Sequence, residues 1–220
     1  MALAIFDLDN TLIGGDSDHL WGEFLCDQQL VDADAFAERN DQFYEDYKAG
    51  QLDIHAYLRF ALDPLKGQPR EVLDNWHREF MTAKIEPIML PKAHELIQQH
   101  RDRGDTLLII TATNEFITRP IANFLGVDEL LASEAEQIDG VYTGEPAGIP
   151  SYKEGKITRL QQWLAGRDLS LAGACFYSDS HNDLPLLELV DHPVAVDPDE
   201  TLLARAKEAG WPVISLRQAT

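Results

Sequence analysis

This sequence lacks the features of a disulfide-bonded or membrane-spanning protein. Its 220 residues include only two cysteines, Cys26 and Cys175, which are too few for a disulfide framework. No stretch approaches the roughly 18 consecutive apolar residues that a membrane-spanning helix needs. The first residues turn acidic at Asp7 without a basic leader, which favours a first strand over a signal peptide. We therefore expect a cytoplasmic protein with no membrane partner.

Positive charge is also scarce. Lys and Arg together number 18, against 38 Asp and Glu, so the formal net charge is -20. A surface of this charge repels the phosphate groups of nucleic acids, and we expect no binding of DNA or RNA. A small phosphate-bearing substrate would need local positive charge from a metal ion, a lysine or helix N-termini. The sequence indicates no particular oligomeric state.

Short apolar segments alternate with amphipathic helical segments along most of the chain. The apolar segments have the length and the Ile, Val, Leu and Phe content of strands buried on both faces of a parallel sheet. Their alternation with helices predicts an α/β fold with a doubly wound parallel sheet, which is Rossmann-like. A further short strand is predicted at 130–133, and a hairpin around Asp139 and Gly140. The predicted strands of the parallel sheet are 3–8, 106–111, 174–178, 193–196 and 212–216.

One long segment interrupts the alternation. Residues 14–91 contain amphipathic helical patterns and no clear strand pattern. Their aromatic residues fall at helical spacing, which indicates packing more than ligand stacking. We therefore predict a helical cap over residues 14–91. The catalytic core would consist of residues 1–13 and 92–220.

Polar residues follow the first two predicted strands, at the edge where doubly wound sheets bind ligands. The first strand leads into Asp7 and Asp9, two carboxylates whose repulsion requires a nearby cation or proton. The second leads into Thr111 and Ala112, which can offer a hydroxyl and backbone N–H groups to a phosphate. The same segment can simply cap the helix expected to begin near Glu115.

Two later segments add complementary residues. Lys156, which follows Gly155, can neutralise a phosphate and its nucleophile, with Lys153 as the alternative. Asp179 and Asp183 follow another strand and can complete an oxygen-rich Mg²⁺ site. Each motif alone has a plain explanation as a surface lysine or a helix cap. Together, at one edge of the sheet, the motifs predict phosphate chemistry assisted by a cation.

The order of these motifs resembles that of the haloacid dehalogenase-like hydrolase superfamily over nearly the whole chain. Two patterns carry the resemblance: Asp-x-Asp-x-Thr-Leu at 7–12 and Ser-Asp-x-x-Asn-Asp at 178–183. The segment after the first motif resembles the superfamily's first type of helical cap. Within the superfamily, the chain most resembles the phosphoserine phosphatase-like branch, which includes histidinol-phosphate phosphatases.

The resemblance implies a phosphatase that acts on a small phosphomonoester through an aspartyl-phosphate. It implies that Asp7 is the nucleophile and that Asp9 is the general acid and base. The implied cofactor is Mg²⁺, held by Asp7, Asp9 through its backbone carbonyl, and Asp179. The resemblance implies that Asp183 supports the metal indirectly, without binding it. The implied phosphate-binding residues are Thr111, Ala112, Lys156 and Asn182.

Other proteins with similar residues fit this pattern less well. A dehalogenase of the superfamily lacks the second carboxylate of the first motif, which is present here as Asp9. A phosphonate hydrolase needs a Schiff-base lysine in its cap, and nothing marks such a lysine. A phosphorylation-switch receiver domain carries its acidic pair and its phosphoaccepting Asp in a different order and has no large insert. A phosphomutase shares all four motifs and stays an alternative.

The predicted cap should select the leaving group. By resemblance to phosphoserine phosphatases, Asp16 takes the place of a Glu that meets the substrate amine, with Asp18 nearby. Asp16 can equally cap a helix that begins near Ser17. An ungapped comparison puts Ala61 at the position of the arginine that grips the substrate carboxylate, two residues after Arg59. Histidinol phosphate, which has no carboxylate, is therefore favoured over phosphoserine, and a broad phosphomonoester specificity is the other alternative.

Overall fold

Seven strands form one sheet in the computed structural model, which describes residues 2–217. They are β1 (Leu3–Phe6), β2 (Thr106–Asn114), β3 (Glu129–Ile138), β4 (Val141–Ala147), β5 (Cys175–Ser178), β6 (His192–Val196) and β7 (Val213–Ile214). Their order across the sheet is β4-β3-β2-β1-β5-β6-β7. All neighbouring pairs among them are parallel except β3 and β4. The predicted α/β class with a mostly parallel sheet is confirmed.

Strand β1 is buried on both faces and divides the hydrophobic core. Leu3 and Ile5 pack into one cluster, while Ala4 and Phe6 pack into the cluster on the opposite face. This division follows from the two-residue period of a strand, which sends alternate side chains to opposite faces. Helices that cover both faces explain why the strand is apolar throughout.

Four helices lie between β1 and the helix that leads into β2. They are α1 (Ser17–Asp27), α2 (Ala33–Lys48), α3 (Ile54–Leu62) and α4 (Arg70–Phe80), and we call them the inserted helices. Helix α5 (Pro91–Asp102) then returns the chain to the sheet. A single bridge between Ile13 and Met89 joins the two ends of the insertion. The boundaries of a separate cap, at 14 and 91, stay a prediction.

The remaining helices follow the later strands. They are α6 (Glu115–Phe124), α7 (Glu154–Leu164), α8 (Leu184–Leu187) and α9 (Glu200–Ala209). Helix α6 begins where predicted, because the Asn114 side chain accepts a hydrogen bond from the Ile117 N–H at 3.3 Å. Within residues 2–217, no helix combines the length and the apolar character that crossing a membrane requires.

Several strand limits differ from the prediction. The first strand stops at Phe6 rather than residue 8, because the Leu8 carbonyl accepts N–H groups from the turn that follows it. The second continues through Asn114, and the last has only two residues. The predicted short strand at 130–133 is ten residues long and continues into the predicted hairpin, which is confirmed. Its turn residues Asp139 and Gly140 both have positive φ, 52° and 79°, as a tight two-residue hairpin turn requires.

Candidate active site

The carboxyl ends of β1, β2 and β5 bring three predicted site residues to one edge of the sheet. Asp7 directly follows β1, and its N–H donates to the Tyr177 carbonyl of β5 at 2.9 Å. Thr111 lies in the neighbouring β2, and Asp179 follows β5. The sheet order reverses beside β1, which is where open α/β sheets form a ligand-binding crevice.

Lys156 is buried between two carboxylates. Its Nζ lies 2.8 Å from Asp7 Oδ1 and 2.7 Å from Asp183 Oδ1, and the residue is 2% exposed. Burial lowers the pKa of Lys156, but the charges of Asp183 and Asp7 raise it more, so the lysine stays protonated. The preceding Gly155 permits this placement, since a Cβ there would lie 2.1 Å from the Pro150 carbonyl oxygen.

Asp9 is held by three donors. Its Oδ1 accepts the Ser17 N–H of α1 at 2.6 Å. Its Oδ2 accepts the hydroxyl of Thr113 at 2.9 Å and the hydroxyl of Thr111 at 3.3 Å. Thr113 was not predicted as a site residue, although its position two residues after Thr111 puts both hydroxyls on one side of the strand. These contacts fix the orientation of a carboxyl that has a predicted proton-transfer role.

Thr11 joins the first motif to the last one. Its hydroxyl donates to Asp179 Oδ1 at 3.1 Å and accepts the Asp179 N–H at 3.1 Å. The sequence patterns include Thr11, but they assign no contact to it. Through this pair of hydrogen bonds, Thr11 fixes Asp179 beside Asp7.

The acidic residues around Lys156 outnumber it. Burial raises the pKa of Asp7 to about 7; Lys156 opposes the rise, while Asp183 and Asp9 add to it. Burial also raises the pKa of Asp179, and the charges of Asp7 and Asp183 raise it further. Lys156 pairs with Asp7 and Asp183 but not with Asp179, so an additional cation would relieve the repulsion among the three carboxylates.

The donor atoms at this edge fit Mg²⁺. Within residues 2–217, no group of three His, Cys, Asp or Glu side chains is arranged to hold a metal ion. Mg²⁺ does not need such a group, because it uses one or two carboxylates and completes its shell with water and substrate oxygens. Asp7 and Asp179, with the Asp9 carbonyl, supply a suitable set. Asp183 is occupied by Lys156 and by the Ser178 hydroxyl at 2.7 Å.

Asn182 and Lys153 connect the sheet edge to the inserted helices. The Asn182 amide donates to the Tyr47 carbonyl at 3.1 Å, and its oxygen accepts the Tyr152 hydroxyl at 3.2 Å. Lys153 Nζ donates to the Gly50 carbonyl at 2.7 Å, in the loop between α2 and α3. Lys156, rather than Lys153, therefore pairs with Asp7. Asn182 makes these contacts in place of a hydrogen bond to Asp7.

A pocket lies between this edge and helices α1, α2 and α3. Ala112 lines it, in the segment where the pairing of β2 with β3 shifts register. None of the described residues that line the pocket is Lys or Arg. Its carboxylates are those of Asp7, Asp9, Asp16 and Asp18, and its aromatic residues include Phe43, Tyr44, Tyr47 and Tyr57.

Asp16 both caps α1 and lines the pocket. Its Oδ1 accepts the N–H groups of Asp18 at 3.0 Å and His19 at 2.8 Å. Burial raises the pKa of Asp16 to about 7, and the charge of Asp9 adds to the rise. The capping interpretation therefore holds, and the contact with a substrate amine stays a prediction.

Neither candidate position for a carboxylate-binding arginine reaches the pocket. Arg59 is exposed, and its Nε lies 3.1 Å from Glu145 Oε2. Ala61 is buried in α3 and carries no polar group. Among the described residues that line it, the pocket therefore has no Arg or Lys that could pair with a carboxylate.

Comparisons with known proteins agree on one family. The family model described as haloacid dehalogenase-like hydrolase matches residues 4–188. A Neisseria meningitidis protein named histidinol-phosphatase is 50% identical over 219 residues, covering 98% of this chain and 99% of the relative. A Mycobacterium tuberculosis protein named phosphoserine phosphatase is 33% identical over 221 residues, covering 99% of this chain and 72% of the relative.

Solved structures show the same fold. A Bordetella pertussis protein of unknown function superimposes with a TM-score of 0.91 and 42% identity, covering 98% of this chain and 99% of the other. A phosphoserine phosphatase, solved as a phospho-aspartyl intermediate analogue, superimposes with a TM-score of 0.71 and 18% identity. That match covers 99% of this chain and 94% of the other. At such identity the second likeness concerns the fold alone.

Proposed function

Since the chain belongs to the haloacid dehalogenase-like hydrolases and is a phosphatase, we propose that it hydrolyses histidinol phosphate with Mg²⁺ in the cytoplasm. The observation that carries this proposal is the pairing of buried Asp7 with Lys156 beside an acidic pocket that lacks Lys and Arg. The Asp7–Lys156 pair supplies a nucleophile and a positive charge that can bind phosphate. The acidic pocket suits a leaving group with amine and imidazole nitrogens.

In the first step, a carboxylate oxygen of Asp7 attacks phosphorus, and the bond from phosphorus to the ester oxygen breaks. Asp9 donates its proton to the departing alkoxide, which leaves as the alcohol. In the second step, Asp9 takes a proton from water, and the resulting hydroxide displaces Asp7 from phosphorus. Inorganic phosphate leaves, and both carboxyl groups return to their starting states.

The residues around Asp7 stabilise the charge of the transferring group. Lys156 lies within 2.8 Å of Asp7 Oδ1, so its ammonium would also reach a phosphoryl oxygen bound there. The Thr111 hydroxyl and the Ala112 N–H would donate to the other oxygens. Bound Mg²⁺, held by Asp7, Asp179 and the Asp9 carbonyl, would supply the positive charge that lets an anionic nucleophile approach a phosphate.

The inserted helices would act as a lid that keeps bulk water out of the site. The Tyr47 carbonyl of α2 and the Gly50 carbonyl of the loop that follows accept hydrogen bonds from the sheet edge, which tie the insertion to the site. The pocket would then admit the leaving group while Asp7 stays buried at 4% exposure.

Two observations favour histidinol phosphate over phosphoserine. The relative named histidinol-phosphatase is 50% identical and matches almost end to end, whereas the relative named phosphoserine phosphatase is 33% identical. Arg59, the arginine nearest to the expected carboxylate-binding position, pairs with Glu145 outside the pocket. A substrate carboxylate would therefore meet Asp16 and Asp18 without a cationic partner, which is unfavourable.

A phosphate-release assay tests the proposal directly. Histidinol phosphate, phosphoserine and an aryl phosphate would be compared with Mg²⁺ and with a chelator. We expect the highest kcat/KM for histidinol phosphate, and loss of activity with the chelator. Asp7→Asn should give no covalent phosphoenzyme after rapid acid quench. A phosphoryl group trapped on another residue would reject the mechanism, and faster hydrolysis of phosphoserine would reject the substrate.

A further inference from the structure

Asp18 is a buried carboxyl without a partner. The residue is 5% exposed, and neither of its oxygens has a hydrogen-bond partner among the described residues. Tyr57 lies near enough to lower the pKa of Asp18, but the two side chains do not meet at the distance and angle of an ordinary hydrogen bond. Buried polar groups of folded proteins are nearly always paired, because leaving one unpaired destabilises the fold. This exception therefore calls for a partner that the chain itself does not provide.

The position of Asp18 shows where that partner would lie. Ser17, Trp21, Asn114 and Arg159 also have unpartnered buried polar atoms in the described part of the chain, but Asp18 alone among the five lines the pocket. Asp18 therefore borders a space that a ligand can enter, although both of its carboxyl oxygens are covered by protein atoms. The other four residues do not line this pocket.

The acidic residues form a series that leads away from the reacting phosphate. Asp9 accepts the Ser17 N–H at the start of α1, Asp16 caps the same helix, and Asp18 lies in its first turn. Asp9 is the proposed proton donor to the ester oxygen, so the series runs along the start of α1 from the bond that breaks to Asp18. Tyr57 and Phe43, with ring centroids 5.2 Å apart, form the aromatic wall of the same pocket.

Histidinol phosphate has its nitrogens in the same order. Its amine is on the carbon next to the ester-bearing carbon, and its imidazole is one methylene further away. The amine would therefore approach Asp16, and the ring would approach Asp18. Aromatic side chains suit a flat ring with a polar edge, because they pack against its face while a carboxylate accepts its N–H.

We propose that Asp18 accepts a hydrogen bond from the imidazole ring of the leaving group and thereby sets the specificity for imidazole-bearing phosphomonoesters. This inference rests on the proposed function and goes further by assigning ring recognition to one residue. Without the ring, Asp18 stays unpaired, so the site gains from the correct substrate an interaction that smaller amino phosphates cannot supply.

Three substrates separate ring recognition from amine recognition. Histidinol phosphate has both groups, phosphoethanolamine has the amine alone, and a neutral aryl phosphate has neither. We expect Asp18→Asn to lower kcat/KM for histidinol phosphate by about tenfold to a hundredfold more than for the other two, the usual size of a lost charge-assisted hydrogen bond. Glu38→Gln is the matched control, because it removes one exposed carboxylate of α2 outside the pocket. It should change none of the three rates.

The wild-type rates distinguish a failure of this inference from a failure of the proposed function. Wild-type enzyme that hydrolyses histidinol phosphate no faster than phosphoethanolamine would reject the proposed substrate. A wild-type preference that Asp18→Asn retains would reject the role of Asp18 alone, and equal losses on all three substrates would also reject it. The melting temperature provides a second readout: Asp18→Asn removes a carboxyl that makes no hydrogen bond within the described residues, so it should not lower the melting temperature, whereas a structural role would lower it.

Discussion

Replacing Lys156 by methionine should destabilise the fold as well as the site. Methionine has a similar length but no charge, so Asp7 and Asp183, which are 4% and 2% exposed, would lose their shared cation. Removing one partner of a buried ion pair typically costs about 3–5 kcal/mol. We therefore expect Lys156→Met to lower the free energy of unfolding by about that amount at neutral pH.

Urea unfolding in the presence of a chelator would measure this loss, since a bound cation would otherwise replace the missing charge. Lys207→Gln is the control, because it removes an exposed lysine of α9 and should change stability by only about 0.5 kcal/mol. In the double variant Lys156→Met with Asp183→Asn, one of the two unpaired carboxylates disappears. Part of the lost stability should then return, and the interaction free energy between the two substitutions should be about 0.5–3 kcal/mol.

The opposite results would refute this reasoning about Lys156. A loss below about 1 kcal/mol is the size found for exposed ion pairs, and it would mean that the two carboxylates are relieved by another route. Strictly additive effects in the double variant would mean that Lys156 and Asp183 do not interact energetically.

Three further predictions concern neighbouring residues. Asp179→Asn should weaken Mg²⁺ binding and activity together, and an unchanged Mg²⁺ affinity in calorimetry would count against Asp179 as a ligand. Thr113→Val removes the 2.9 Å donor to Asp9 and should lower kcat by about tenfold with little change in KM, whereas an equal change in both would contradict a role in orienting Asp9. Since burial raises the pKa of Asp16 from 3.8 to about 7, the folded state binds a proton that the unfolded chain has released between those values. The free energy of unfolding should therefore fall as pH rises through this range, and Asp16→Asn should make that fall less steep. An unchanged slope in the variant would mean that the pKa of Asp16 is not raised.

The fold and the position of the site could be predicted because they depend on local rules. Apolar strands that alternate with helices predict a parallel sheet, and the carboxyl ends of parallel strands meet at one edge. Asp7 and Asp179 could therefore be assigned to the same place although 171 residues separate them along the chain. Strand lengths were less predictable, because a turn such as the one after Phe6 depends on backbone hydrogen bonds that the apolar pattern does not specify.

The choice between Lys153 and Lys156 required three-dimensional information. Both lysines precede or begin the same helix, and the sequence distinguishes them only by the neighbouring Gly155. In the folded chain, the Pro150 carbonyl lies against Gly155 in the first turn of α7. In that arrangement, the Lys156 side chain is directed toward Asp7. Lys153 is left to contact the Gly50 carbonyl. A backbone approach of this kind, between a loop carbonyl and the first turn of a helix, has no periodic signal in the sequence.

Substrate recognition is the part that sequence patterns describe least, because helices from distant positions build the pocket. Asp18 lies in the first turn of α1, where an acidic residue is ordinarily exposed and favours the helix dipole. It is buried here because α3 brings Tyr57 against it, and that packing is not encoded by residues near Asp18. The position of the candidate site thus follows from where strands end, whereas the specificity that we propose depends on the buried carboxyl that the packed helices leave without a partner. Substitutions on the inserted helices should therefore change the preferred leaving group without altering the phosphate chemistry at Asp7.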